Sequence, residues 1–253
     1  MCAPTSMCPP LALCLREGTQ QSHSLAENTV LMKCLRNGLI SAEPLRQWMA
    51  SLYFVYSALE LEMYNHADHP VIGRIYFPRL ERTLQLENDL AFYYGDNWRR
   101  QIQPSRKTIR YVMRLHAIAN DQPALLAAHA YVRYMGDLSG GQGLRAKIRS
   151  ALKLPEGLGT AFYEFEGLPT AETRRAFKGV YRDALNQLPV DTQLATQLIE
   201  EANLAFKLNC DVMHELASQV KATVSEATWE LITHENLPGS TAHLPPPIEL
   251  VSA

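Results

Sequence analysis

Nowhere in its 253 positions does the sequence hold a run of 18 apolar residues, so no segment reads as a membrane span. Cys-x-x-Cys pairs are absent, and the five cysteines (Cys2, Cys8, Cys14, Cys34 and Cys210) are an odd, scattered set. That argues against a disulfide framework and a zinc knuckle and points to a reduced, intracellular chain. Cys2, Cys8 and Cys14 are expected to lie in a frayed, Pro-containing arm. The N-terminus also lacks the positive start and long apolar stretch of a signal peptide, so the expected location is cytoplasmic, or plastid if the chain is eukaryotic. Excess charge is missing too: at −2 net, nothing suggests nucleic-acid binding. No Glu-x-x-His pair supports a di-iron carboxylate bundle. No dinucleotide fingerprint or iron–sulfur cysteine spacing occurs.

What is present is helical periodicity. The apolar fraction, 47%, is enough for a full core. Leu45, Trp48, Met49, Leu52, Tyr53, Tyr56, Leu59 and Met63 fall on one helical stripe. Segments 80–94, 108–119, 124–152, 171–188 and 191–221 read the same way, with prolines between them. Only 161–166 hints at extended chain. The expected fold class is all-α, a single multi-helix domain over 11–222. Residues 1–10 read as a flexible arm and 223–253 as a disordered, Pro-containing tail.

The chain is organised around 129–147. Gly136, Gly140, Gly141 and Gly143 crowd into eight positions there, although strong helix formers resume at Leu144. Each glycine in a helix interior costs about 0.5–1 kcal/mol relative to alanine. A kinked helix whose bare backbone lies against something flat explains that cost. Gly136 and Gly140 clear one face of one turn, and Asp137, the only acid in the run, sits between them. A glycine-rich helix–helix contact or an ordinary loop is the alternative. Ser139 has no preceding strand and no glycine spacing of a nucleophile elbow.

Two further groups stand out. On a helix over 13–33, Arg16, Gln20, His23 and Glu27 share one face. His23 has the makings of a metal ligand, with Glu27 one turn later to accept the other ring proton; a surface His–Glu pair is the plainer reading. Lys178 and Arg182, one turn apart beside Tyr181, can hold carboxylates or form a solvated basic face. His66, His69 and His116 read as solvated, His129 as helix packing, and His234 and His243 as tail.

These groups together resemble the heme oxygenase family. The run 129–144 is similar to the family's signature helix. Segment 15–28 is similar to its ligand helix, and 51–60, 75–78, 89–95 and 177–182 match as well. The resemblance covers about 11–220. Without a membrane anchor, the chain resembles the soluble, ferredoxin-dependent branch of photosynthetic microbes and plastids.

The resemblance implies heme b as both substrate and cofactor, between a proximal and a distal helix. His23 would be the iron ligand and Glu27 its orienter. Gly136 and Gly140 would let the distal backbone approach closely and leave room for a bent O2. Asp137 would hold a water chain that delivers one proton without pulling the O–O bond apart. Tyr56 and Arg133 would extend that chain, with Asn209 near its end. Arg16, Tyr131, Lys178 and Arg182 would contact the heme propionates and set which meso carbon is attacked, and Phe206, Met32 and Leu35 would wall the ring. The implied reaction opens heme at the α-meso carbon to biliverdin IXα, releasing Fe2+ and CO. It uses O2 and electrons from reduced ferredoxin, for bilin pigment synthesis or heme turnover, and a biliverdin or bilin reductase would follow. Arg99, Arg100, Arg106, Lys107 and Arg110 form the densest basic cluster outside the pocket, either a dock for an acidic donor or simply a solvated helix start. Gln20 stands where many members carry lysine, and Gly143 where a branched aliphatic is common. The rival readings are a heme carrier or sensor that has lost turnover, and a thiaminase-like helical enzyme.

Overall fold

The computed structural model describes residues 9–234 together with Gly239 and Ser240. In order the helices are α1 (Leu11–Gly18), α2 (Gln20–Glu27), α3 (Val30–Asn37), α4 (Ala42–Asn65), α5 (Ile72–Ile75), α6 (Thr83–Tyr94) and α7 (Trp98–Gln101). They continue as α8 (Arg106–Asp121), α9 (Leu126–Leu152), α10 (Ala171–Asn186), α11 (Thr192–Glu215), α12 (Ala217–Lys221) and α13 (Glu226–His234). Among the described residues there is no strand, so the fold is all-α. No helix of these residues is long and apolar enough to cross a membrane.

Local chemistry sets the helix ends. Ser105, Thr170 and Asp191 each accept a backbone N–H of the following first turn, satisfying a donor the helix itself cannot. Gly38 ends α3 at φ 68°, a conformation that costs glycine nothing. The α4 stripe is buried as its spacing demands, except Tyr53, which is half-buried. α9 runs through the molecule against α11, α3 and α4, and Ala127, Ala128 and Ala130 let its neighbours come close.

Four expectations are corrected. The single helix over 13–33 is three short ones. Thr19 Oγ1 donates to the Leu15 carbonyl at 2.7 Å, Asn28 donates to Ser24, and Thr29 caps α3; such side chains compete with the helical ladder. Segment 161–166 contains a 3₁₀ turn, Ala161–Tyr163, rather than a strand. Cys14 is buried within α1 instead of lying in a frayed arm; Cys2 and Cys8 fall outside the described residues. Residues 226–234, assigned to a disordered tail, form α13. Its Ile232 is buried and its Ile232 carbonyl accepts the Lys33 amine at 2.9 Å.

Candidate active site

One cavity of about 710 Å³ opens between α1, α2, α9 and α11, within the usual size of a small-molecule site. The glycine run forms one wall, and α9 is unbroken through it. A Cβ built on Gly136, Gly140 or Gly143 meets no atom within 4 Å, whereas at Gly141 it lies 3.2 Å from Tyr163 Cδ1. Three glycines therefore leave bare backbone toward open space, and the fourth accommodates an aromatic neighbour.

Asp137 also lines the cavity, and a buried relay stands behind it. Arg133 Nε donates to Tyr56 Oη at 3.1 Å, and Tyr56 donates to Asp137 Oδ2. Arg133 also donates to Asn209 Oδ1. A guanidinium cannot accept, so the direction of this chain is fixed and the Tyr56 proton points at Asp137. Burial pushes the Asp137 carboxyl above its ordinary range, opposed by Arg133, Tyr56 and Arg82. Burial first, then the Asp137 charge, raise Tyr56 against the pull of Arg133.

His23 stands on the α2 wall. Its Nδ1 is buried, 3.5 Å from Glu27 Oε2 and without a closer acceptor. That distance is long for a hydrogen bond but orients the ring, favouring the proton on Nδ1 and leaving the Nε2 lone pair for a metal. Phe206 meets the ring edge-on at 5.6 Å. Burial pushes Glu27 up, but contacts from His23 and Ser240 outweigh it and hold its pKa down to about 2. Among the described residues no three His, Cys, Asp or Glu side chains converge as a metal site. Any metal at His23 must bring most of its own ligands.

The rim is basic: Arg16, Arg36, Lys147 and Arg182 line the cavity and are exposed. Tyr131 lines it as well, and Lys178 stands beside it, its amine 3.3 Å from Ser139 Oγ. Leu35 is core rather than wall, while Met32 is wall. Neither Gln20 nor any of Arg99, Arg100, Arg106, Lys107 and Arg110 lines the cavity; Arg99 is paired with Glu87 at 2.7 Å.

Sequence reasoning missed the buttress behind the glycines. Glu60 accepts the Arg82 and Thr83 backbone N–H groups at 2.5 and 3.1 Å, capping α6 from α4. Buried Arg82 donates to the Phe162 and Glu164 carbonyls and stacks 3.9 Å from the Phe165 ring. Asp89 accepts from the Ala161 and Phe162 N–H groups. Together they pin Phe162 and Tyr163 against the distal wall. Burial raises Glu60 to about 7 and Asp89 to about 6 despite these bonds. His129 is more than packing: its Nε2 lies 2.8 Å from Glu201, which also takes Arg114. Nor are His66 and His116 merely solvated; both face the Glu62 carboxylate.

A heme oxygenase family model matches residues 9–215. Heme oxygenase 2 of Synechocystis sp. is 54% identical over 231 residues, 91% of this chain and 92% of that protein. The heme oxygenase of Rhodella violacea is 43% identical, over 90% and 96% of the two chains. The crystal structure of the Synechocystis heme oxygenase-2 in complex with heme and NO superposes with a TM-score of 0.90 over 93% of this chain and 97% of that one. The Synechocystis heme oxygenase-1 complex with heme follows at 0.82 and 44% identity, over 88% and 100%. By sequence and fold, the chain belongs to the heme oxygenase family.

Proposed function

We propose that this chain binds heme b between α2 and α9 and opens it at the α-meso carbon to biliverdin IXα, with release of Fe2+ and CO. One observation carries the reading: a single imidazole and a stretch of helix whose backbone is bare at Gly136, Gly140 and Gly143 line the same cavity. A porphyrin supplies the four donors a lone histidine lacks, and its flat face needs the space that Cβ atoms at Gly136 and Gly140 would fill. When bound, heme is both the oxygen-activating cofactor and the substrate, and turnover consumes more than one O2 and several electrons.

The residues divide the work. His23 would bind the iron, and Glu27 would orient the His23 ring through Nδ1. Asp137, its Oδ2 tied to Tyr56, keeps its second oxygen for an ordered water and passes one proton at a time. Tyr56, Arg133 and Asn209 hold that carboxyl still. Arg16, Tyr131, Arg182 and Lys178 grip the propionates and so fix the ring's rotation, and with it the carbon attacked; Phe206 walls the proximal face.

Electrons come from an acidic protein of the ferredoxin type. The exposed cations of the rim, rather than the cluster at 99–110, suit its docking. Raising ionic strength then lowers kcat/KM for the donor, and Lys147→Glu lowers it at low salt.

The experiment adds hemin and looks for a histidine-ligated spectrum, then supplies reductant and O2. The expected result is loss of the Soret band and appearance of green pigment, with the α isomer dominant by chromatography. A stable heme spectrum under those conditions identifies a carrier instead.

A further inference from the structure

The placement of Gly239 and Ser240 against α2 is not explained by the site described above. Gly239 lies against α2 so closely that a Cβ on it would sit 2.1 Å from Ser24 Oγ and 2.8 Å from Ser24 Cα. The next residue, Ser240, donates its backbone N–H to Glu27 Oε2 at 2.7 Å and lines the cavity. Upstream, α13 is anchored to α3 by the bond from Lys33 to Ile232. α2 needs such help. It has eight residues, buries only Ala26 and lacks a side-chain N-cap; a helix that short is marginal on its own. Glu27 stands at its last position, and Arg36 reaches it from α3 at 3.5 Å.

We propose that Ser240 is a positioning residue for the proximal ligand. Its N–H holds Glu27 Oε2 in place, and Glu27 in turn orients His23 through Nδ1. Gly239 is required because only a residue without a side chain lets the strand of backbone reach Glu27 past Ser24. The inference rests on the heme reading of the cavity, and its test separates the two.

The test titrates hemin into the full chain, Gly239→Val, Gly239→Val with Ser24→Gly, and a chain ending at Pro238. Binding constants and the iron–histidine stretching band of the ferrous form are the readouts. Gly239→Val and the shortened chain are expected to lose on the order of 10-fold in hemin affinity, the lower end for loss of an outer partner of a metal ligand. Their iron–histidine band moves to lower frequency, because a loosened Glu27 makes His23 less basic. Ser24→Gly removes the clashing Cβ and Oγ but leaves the Ser24 Cα 2.8 Å from the added Cβ, so it recovers both only in part in the Gly239→Val background. Thermal melts of the apo-proteins check that each variant is folded. If the full chain binds hemin through His23 and both lesions leave affinity and band unchanged, the Ser240 role is wrong and the heme site stands. If the full chain takes up no hemin, both fall.

Discussion

The two walls of the cavity are built on opposite plans. The distal wall is part of a 27-residue helix with eleven buried residues, and it owes its bareness to glycine. Behind it lie buried, directional bonds from α4 and α11 and the Glu60–Arg82–Asp89 buttress. The proximal wall is an eight-residue helix with one buried residue, held by side chains reaching in from elsewhere, such as Asn203 on Ser22 at 2.6 Å. The distal side is thus set by the core. The proximal side, which we propose carries the ligand, is a short, tethered arm. A ring that must enter, react and leave as a different molecule needs one rigid wall to direct chemistry and one compliant wall to let it pass.

The comparison breaks most visibly at His23. His23→Ala removes the proposed iron ligand from the compliant wall, and hemin affinity is expected to fall by more than about 100-fold, beyond the usual cost of losing an outer partner. The absorption spectrum checks it, and an unchanged histidine-type spectrum would place the ligand elsewhere. Next comes Asp137→Ala on the rigid wall. Hemin affinity should stay within about twofold, while ring-opening turnover drops by roughly 100-fold, the lower end for loss of a positioned proton donor. Equal losses of binding and turnover would mean that the carboxyl shapes the pocket instead of steering protons.

Acidity distinguishes the walls by sign. Glu60 and Asp89 have folded pKa values raised from 4.5 to about 7 and from 3.8 to about 6. The folded chain keeps protons there that the unfolded chain has lost. Their contribution to stability is full below about pH 4 and is lost as pH rises toward 7, by on the order of 3 kcal/mol for Glu60. Glu27 is lowered to about 2, so its contribution is present above pH 4.5 and is lost as pH falls toward 2. Denaturant unfolding of the apo-protein from pH 4.5 to 7.5 reads the first effect, and Glu60→Gln should flatten that slope. A slope that Glu60→Gln leaves intact would assign it to other groups.

How much of this could be read from the chain follows sequence distance. His23 and Glu27 are one turn apart, and helical spacing alone pairs them. The four glycines announce themselves because their cost demands a reason. Tyr56 and Asp137, 81 residues apart, come together only through family resemblance. Glu60 with Arg82, Asp89 with Ala161, and Ser240 with Glu27 join across 22, 72 and 213 residues; no local period links them. The break at Thr19 was hidden for a different reason. The residues on either side keep helical spacing, and only a hydroxyl bonding back to Leu15 diverts the backbone. The α13 helix was missed because one buried residue, Ile232, makes too weak a periodic signal.

The smallest expected effect tests the rigid wall most directly. Alanine at Gly136 or Gly140 keeps helical geometry and meets no atom within 4 Å. Each should therefore stabilise the apo-protein by about 0.5–1 kcal/mol, a rise of roughly 1–4 °C in Tm. The same methyl group occupies the space where the ring and its oxygen would lie, so hemin binding or turnover should suffer while the melt improves. Gly141→Ala is the control. Its Cβ would press on Tyr163 at 3.2 Å, held by the buttress, so the helix-propensity gain should be offset and the melt little changed. A gain in stability without loss of function at Gly136 and Gly140 would show that their bareness serves helix packing alone. A gain with loss would show glycine retained against a stability cost, which only a ligand close to the main chain explains.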